Sequence, residues 1–75
     1  MEHFLDMRNY IKVARAKHSL TQKALANIVG VTRQTILAIE KGKYVPSTIL
    51  ALKLAKHLGE PVESLFELEE QDERV

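Results

Sequence analysis

The feature that most restricts this chain is the spacing of helix start and stop signals between residues 21 and 42. Thr21 precedes an apolar stripe of Leu25, Ile28 and Val29, and Gly30 follows it; Thr32 precedes Ile36 and Ile39, and Gly42 follows them. Thr is a preferred N-cap because its hydroxyl accepts a backbone N–H of the first turn, and Gly is preferred beyond a helix end, where φ turns positive. The signals predict a helix over 22–29 and another over 32–41, joined by a very short turn. So short a connection makes the two helices cross and pack on each other within one small unit.

The flanking segments read the same way. Asp6 is a candidate N-cap for a first helix over 7–17, whose Met7, Ile11 and Ala14 fall at helical spacing, and Ser19 with Leu20 makes the link. Lys43, Tyr44, Val45 and Pro46 form a loop, since proline disfavours helix at the residue before it and has no N–H. Ser47 restarts a helix over 48–58. That segment carries Ile49, Leu50, Ala51, Leu52, Leu54, Ala55 and Leu58, more than one core-facing stripe needs, so one of its faces is a candidate interface. Gly59 ends it, and Pro61 suits the first turn of a short fifth helix through Val62, Leu65 and Phe66. Phe66-Glu67-Leu68-Glu69 then alternates with a strand's period of two, and His3-Phe4-Leu5-Asp6 is its candidate partner. The expected class is all-α with five helices and a small terminal β-ribbon. It divides into an N-terminal extension over 1–6, a domain over 7–66, and an acidic tail over 67–75 with a mobile end.

At 75 residues the chain is a single small domain, burying only about 60% of the surface it exposes unfolded. The absence of Cys excludes disulfides, thiolate zinc sites and cysteine nucleophiles. His3, His18 and His57 have no metal-ligand spacing, and Glu40 has no second carboxylate or nucleophile near it, so neither metal, cofactor nor enzyme chemistry is expected. No apolar run approaches the ~18 residues of a membrane span, and the first residues do not resemble a signal peptide, which leads to the expectation of a cytoplasmic protein. The net charge of +1 hides an asymmetry. Between Arg8 and His57 ten basic residues face the single acid Glu40, whereas beyond His57 seven acids face Arg74. A concentrated positive body attracts polyanions, and the acidic end repels them.

At about 100° per residue, Arg33, Gln34, Leu37, Ala38 and Lys41 share one face of the third helix, and Ile36 and Ile39 occupy the other. The helix therefore packs by its isoleucines and displays Arg33 and Gln34 in its first turn. Arg can bond O6 and N7 of guanine, and Gln N6 and N7 of adenine. The small Ala38 permits close approach and, with Leu37, can meet a thymine methyl.

The run from Leu20 to Gly42 resembles the helix-turn-helix of Cro/cI-type phage repressors and small bacterial regulators, the XRE-like family. The resemblance rests on Gln22, Leu25, Ala26, Gly30, Val31, Gln34, Ile36, Ile39, Glu40 and Gly42, and is continued by Pro46-Ser47, Leu54-Ala55, Leu58-Gly59 and Leu65-Phe66. It implies a five-helix, lambda-repressor-like DNA-binding domain acting as a homodimer. It further implies that Arg33, Gln34 and Ala38 lie where relatives touch bases. By the same resemblance Gln22 bonds a phosphate, and Thr32, Thr35, Lys41, Lys43 and Tyr44 contact the sugar–phosphate backbone. Arg15 and Glu40 correspond to an Arg–Glu pair that ties the first helix to the third. The expected function is a sequence-specific transcriptional regulator, by default a repressor, bound to the major groove of an inverted-repeat operator with no small-molecule ligand evident. The alternative is an interaction module, an antitoxin or adaptor part, that uses the same fold and docks a partner on its apolar fourth and fifth helices.

Overall fold

The computed structural model describes residues 7–69. Along the chain these form β1 (Met7–Asn9), α1 (Ile11–Lys17), α2 (Gln22–Val29), α3 (Arg33–Glu40), α4 (Thr48–Leu58), α5 (Val62–Leu65) and β2 (Phe66–Leu68). Three hydroxyls start three of the helices. Thr21 accepts the Ala24 N–H at 3.0 Å, Thr32 the Thr35 N–H at 3.2 Å and Ser47 the Leu50 N–H at 3.1 Å, each worth about 1 kcal/mol. Gly30 ends α2 at φ +78°, and its N–H and that of Val31 both reach the Ala26 carbonyl at 2.9 Å. The chain thereby reverses within two residues and lays α3 across α2.

The buried side chains follow helical spacing. Leu50, Leu54 and Leu58 of α4 meet Leu25, Ala26 and Val29 of α2, Ile36 and Ile39 of α3, Ile11 and Ala14 of α1, and Leu65 of α5 in one cluster. Fully burying each large aliphatic side chain contributes roughly 1.5 to 3 kcal/mol. Because α3 commits Ile36 and Ile39 to this cluster, its opposite face is left to solvent.

The first helix departs from the expectation. It begins at Ile11 rather than Met7, because Met7–Asn9 is extended and pairs antiparallel with Phe66–Leu68, Met7 opposite Leu68 and Arg8 opposite Glu67. The ribbon exists, with its N-terminal strand at Met7–Asn9; the strand expected at His3 to Asp6, the Asp6 cap and the mobile end lie outside the described residues. The helical spacing of Met7, Ile11 and Ala14 is ambiguous, since Met7 in a strand ending at Asn9 is equally placed to be half-buried, there against the Val45, Leu52 and Phe66 side of the domain. The ribbon is tied by exposed polar contacts. Arg8 Nε lies 3.0 Å from Glu69 Oε2, and the Tyr10 hydroxyl donates to Glu67 Oε1 at 2.6 Å. That hydrogen bond holds the Tyr10 pKa above the usual tyrosine value. Two acids of the C-terminal segment are thus turned onto the first strand and the residue that follows it.

An added Cβ at Gly30 would meet no atom within 4 Å, so backbone conformation alone calls for glycine there. Gly30→Ala is expected to destabilise the domain by about 1 to 2 kcal/mol in denaturant melts, the cost of a left-handed L-residue. A loss indistinguishable from zero would mean that the turn tolerates a different backbone path.

Candidate nucleic-acid interface

One carboxylate gathers three elements. Glu40, the last residue of α3, accepts Arg15 Nε at 2.7 Å on Oε2 and Arg15 Nη2 at 3.2 Å on Oε1. Arg15 also donates through Nη1 to the Leu20 carbonyl at 2.9 Å, and Gln22 Nε2 donates to Glu40 Oε1 at 3.1 Å. The Arg15 and Glu40 side chains are 14% and 8% exposed, so the pair is largely withdrawn from water. A planar guanidinium meeting both carboxylate oxygens is the strong form of this contact, and here it fixes orientation as well as distance. It joins α1, the start of α2 and the end of α3 into one frame. Gln22 keeps one amide N–H and its carbonyl oxygen for other partners after bonding Glu40.

The frame leaves the outer face of α3 open. Arg33 and Gln34 are exposed in its first turn, Leu37 and Ala38 are half-buried further along, and Lys41, Lys43 and Tyr44 are exposed at and beyond its end. Thr32 is exposed and shares a 3.0 Å hydroxyl contact with the half-buried Thr35. Among the described residues, Arg33, Gln34, Lys41 and Lys43 make no side-chain hydrogen bond or ion pair, so they remain available to a ligand. Arg33, Gln34, Leu37, Ala38 and Lys41 thus form a strip along the outer face of α3, with Gln22 held against Glu40 at the end of that helix and Lys43 in the loop that follows it.

On another side of the domain, Met7, Val45, Pro46, Thr48, Ala51, Leu52, Val62 and Phe66 line an apolar groove of about 240 Å³. Leu52, Val45 and Leu68 are exposed. Among the described residues, no group of three His, Cys, Asp or Glu side chains could hold a metal, and no helix is long and apolar enough to cross a membrane. His18 is engaged in the scaffold, its Nε2 lying 2.8 Å from the Leu58 carbonyl at the end of α4.

A helix-turn-helix family model matches residues 11–65, from the first residue of α1 to the last of α5. The chain belongs to this XRE-type helix-turn-helix family. An HTH-type transcriptional regulator of Methanocaldococcus jannaschii is 53% identical over 66 residues, covering 88% of this chain and all of that one. The CTXphi transcriptional repressor RstR of Vibrio cholerae is 40% identical over 55 residues, which span 73% of this chain and half of that repressor. Among solved structures, the restriction-modification controller protein C.AhdI of Aeromonas hydrophila superposes with a TM-score of 0.67 at 28% identity, over 72% of this chain and 82% of that one. The family is one of transcriptional regulators rather than enzymes. In this helix-turn-helix member, sequence reasoning missed two contacts of the site. It assigned Gln22 outward only, without its bond to Glu40, and it overlooked Asn9, whose side-chain amide donates to the Ile39 carbonyl at 2.8 Å. No spacing rule connects a strand residue to a helix end thirty positions on; the one available signal was a polar residue two positions before Ile11, the start of the apolar stripe.

Removing one partner of a buried ion pair strands the other and is expected to cost about 3 to 5 kcal/mol. Arg15→Ala, Glu40→Ala and the double variant, compared in denaturant melts, should show a coupling of roughly 1 to 3 kcal/mol. Strictly additive losses would mean that the 2.7 Å contact carries no net energy.

Proposed function

We propose that this regulator binds double-stranded DNA sequence-selectively as a homodimer, with α3 in the major groove of each half of an inverted-repeat operator, and that it represses by occlusion. The observation that carries the reading is a single helix with an exposed Arg33–Gln34 first turn at one end and the part-buried Arg15–Glu40–Gln22 frame at the other. Base reading needs side chains presented by an element that does not yield, and this helix is held at its far end. In this reading Arg33 and Gln34 bond guanine and adenine, and Ala38 with Leu37 meets a thymine methyl. Gln22, Thr32, Thr35, Lys41, Lys43 and Tyr44 contact the sugar–phosphate backbone and set register. The likeness to a phage repressor supports repression, and action on DNA goes with a cytoplasmic location. No cofactor or small-molecule ligand enters the reading.

The apolar groove beside α4 supports the homodimer. In an isologous contact the same patch meets itself, and this patch is lined by apolar side chains of which Leu52 and Val45 are exposed. Two recognition helices then stand about 34 Å apart, one turn of B-DNA. The groove also suits a second reading, in which an antitoxin or adaptor docks a different protein there. Sequence-selective, salt-sensitive binding to a duplex by the purified chain alone separates the two.

Selection from a pool of random duplexes is expected to return an inverted repeat with half-sites ~10 bp apart. On that duplex, Arg33→Ala should lose about 1 to 3 kcal/mol per half-site and change which base is preferred. Lys43→Ala should weaken all sequences alike and reduce the slope of log K against log salt by about 1. If Arg33→Ala left the rank order of sites untouched and Lys43→Ala reordered it, the assignment of the reading face would be wrong. Leu52→Glu should shift sedimentation from dimer to monomer while leaving the far-ultraviolet circular dichroism unchanged. A variant that stays dimeric would move the interface away from the groove.

A further inference from the structure

The side chain of Asn9 is used twice. Its Nδ2 donates to the Ile39 carbonyl at 2.8 Å, and its Oδ1 accepts the Ile11 N–H at 3.3 Å, so one amide closes the start of α1 and touches the end of α3. Its backbone is fixed independently, since Asn9 stands opposite Phe66 in the ribbon and the following Tyr10 N–H reaches the Leu65 carbonyl at 2.8 Å.

The carbonyl that Asn9 reaches lies at a sensitive point. The last turn of α3 hands over to the loop through three consecutive acceptors: Leu37 to the Lys41 N–H at 3.0 Å, Ala38 to the Lys43 N–H at 2.8 Å, and Ile39 to the Gly42 N–H at 3.0 Å. Asn9 adds a second donor to the Ile39 carbonyl, whose two lone pairs are then both occupied. Arg8, Asn9, Tyr10, Glu40, Lys41 and Gly42 border one polar recess, so the strand and the lysine-bearing loop face each other directly.

We infer that Asn9 is a positioning residue for DNA binding: through the Ile39 carbonyl it sets the Lys41-Gly42-Lys43 loop against the phosphates. The inference rests on the DNA-binding reading and adds to it a role for a residue that touches no DNA. It also gives the terminal ribbon a purpose beyond covering the core edge. The strand that carries Asn9 is held by β2 on one side and holds the phosphate loop on the other.

The test separates the two uses of the side chain. Asn9→Ser keeps a short acceptor for the Ile11 N–H but does not span to Ile39, and Asn9→Asp keeps the acceptor and replaces the donor with a charge. Without DNA, amide exchange should quicken at Gly42 and Lys43 in both variants and stay unchanged at Leu54. With the duplex that the wild-type chain selects from a random pool, both should bind several-fold more weakly, with a salt slope smaller by about 1. Asn9→Ser combined with Lys43→Ala should lose less than the sum of the two, because the lysine is already displaced. A uniform change in exchange, an unchanged salt slope or additive losses would overturn the positioning role. A wild-type chain that binds no duplex would remove the DNA-binding reading and this inference together, whereas selective wild-type binding with indifferent Asn9 variants removes the inference alone.

Discussion

The arrangement depends on one desolvated ion pair. Arg15 and Glu40 meet through both oxygens of the carboxylate, and each has a further partner, the Leu20 carbonyl for Arg15 and Gln22 for Glu40. Taking both charges out of water costs several kcal/mol per ion before the attraction offsets it, so such a pair is a poor source of bulk stability. Its return is geometric. A core of leucines and isoleucines would tolerate small slides of α3 on α2, because apolar contact is non-directional. A bidentate guanidinium contact does not tolerate such slides, and it stands at the end of the helix opposite to Arg33 and Gln34.

Around that frame the surface is divided by charge and polarity. The strip along α3 and its flanks displays polar and basic groups, and its Arg33, Gln34, Lys41 and Lys43 side chains carry no internal partners among the described residues. Glu67 and Glu69 of the C-terminal segment are turned onto Arg8 of the N-terminal strand and Tyr10 just after it. The apolar groove between α4 and the ribbon lies apart from the strip. A net charge near zero is thus compatible with a strongly polarised molecule, whose electrostatic steering would favour approach by the α3 face.

Much of this was legible in the residues. Thr21, Thr32 and Ser47 announce helix starts because a hydroxyl cap is a local interaction, and Gly30 announces the turn because only backbone conformation is at stake. The outward face of α3 follows from the positions of Ile36 and Ile39, which is again a local periodicity. The failures are all at long range. Met7 fits a helical stripe and a strand equally well, and only its pairing with Leu68, sixty-one positions away, decides for the strand. Gln22 on Glu40 and Asn9 on Ile39 likewise join segments whose approach is set by the packed core rather than by neighbours in sequence. The Arg15–Glu40 contact was reached through family likeness, since spacing alone does not connect those residues.

The central claim, that α3 and its flanks meet DNA while the α4 groove meets protein, is tested most directly by amide chemical-shift perturbation of the wild-type chain titrated with its selected duplex. The account predicts that the largest changes fall on Gln22 and Lys23, on Thr32 through Ala38 and on Lys41 through Lys43, with small changes at Leu52, Val62 and Phe66. Perturbations concentrated on α4, α5 and the ribbon, with α3 silent, would contradict it.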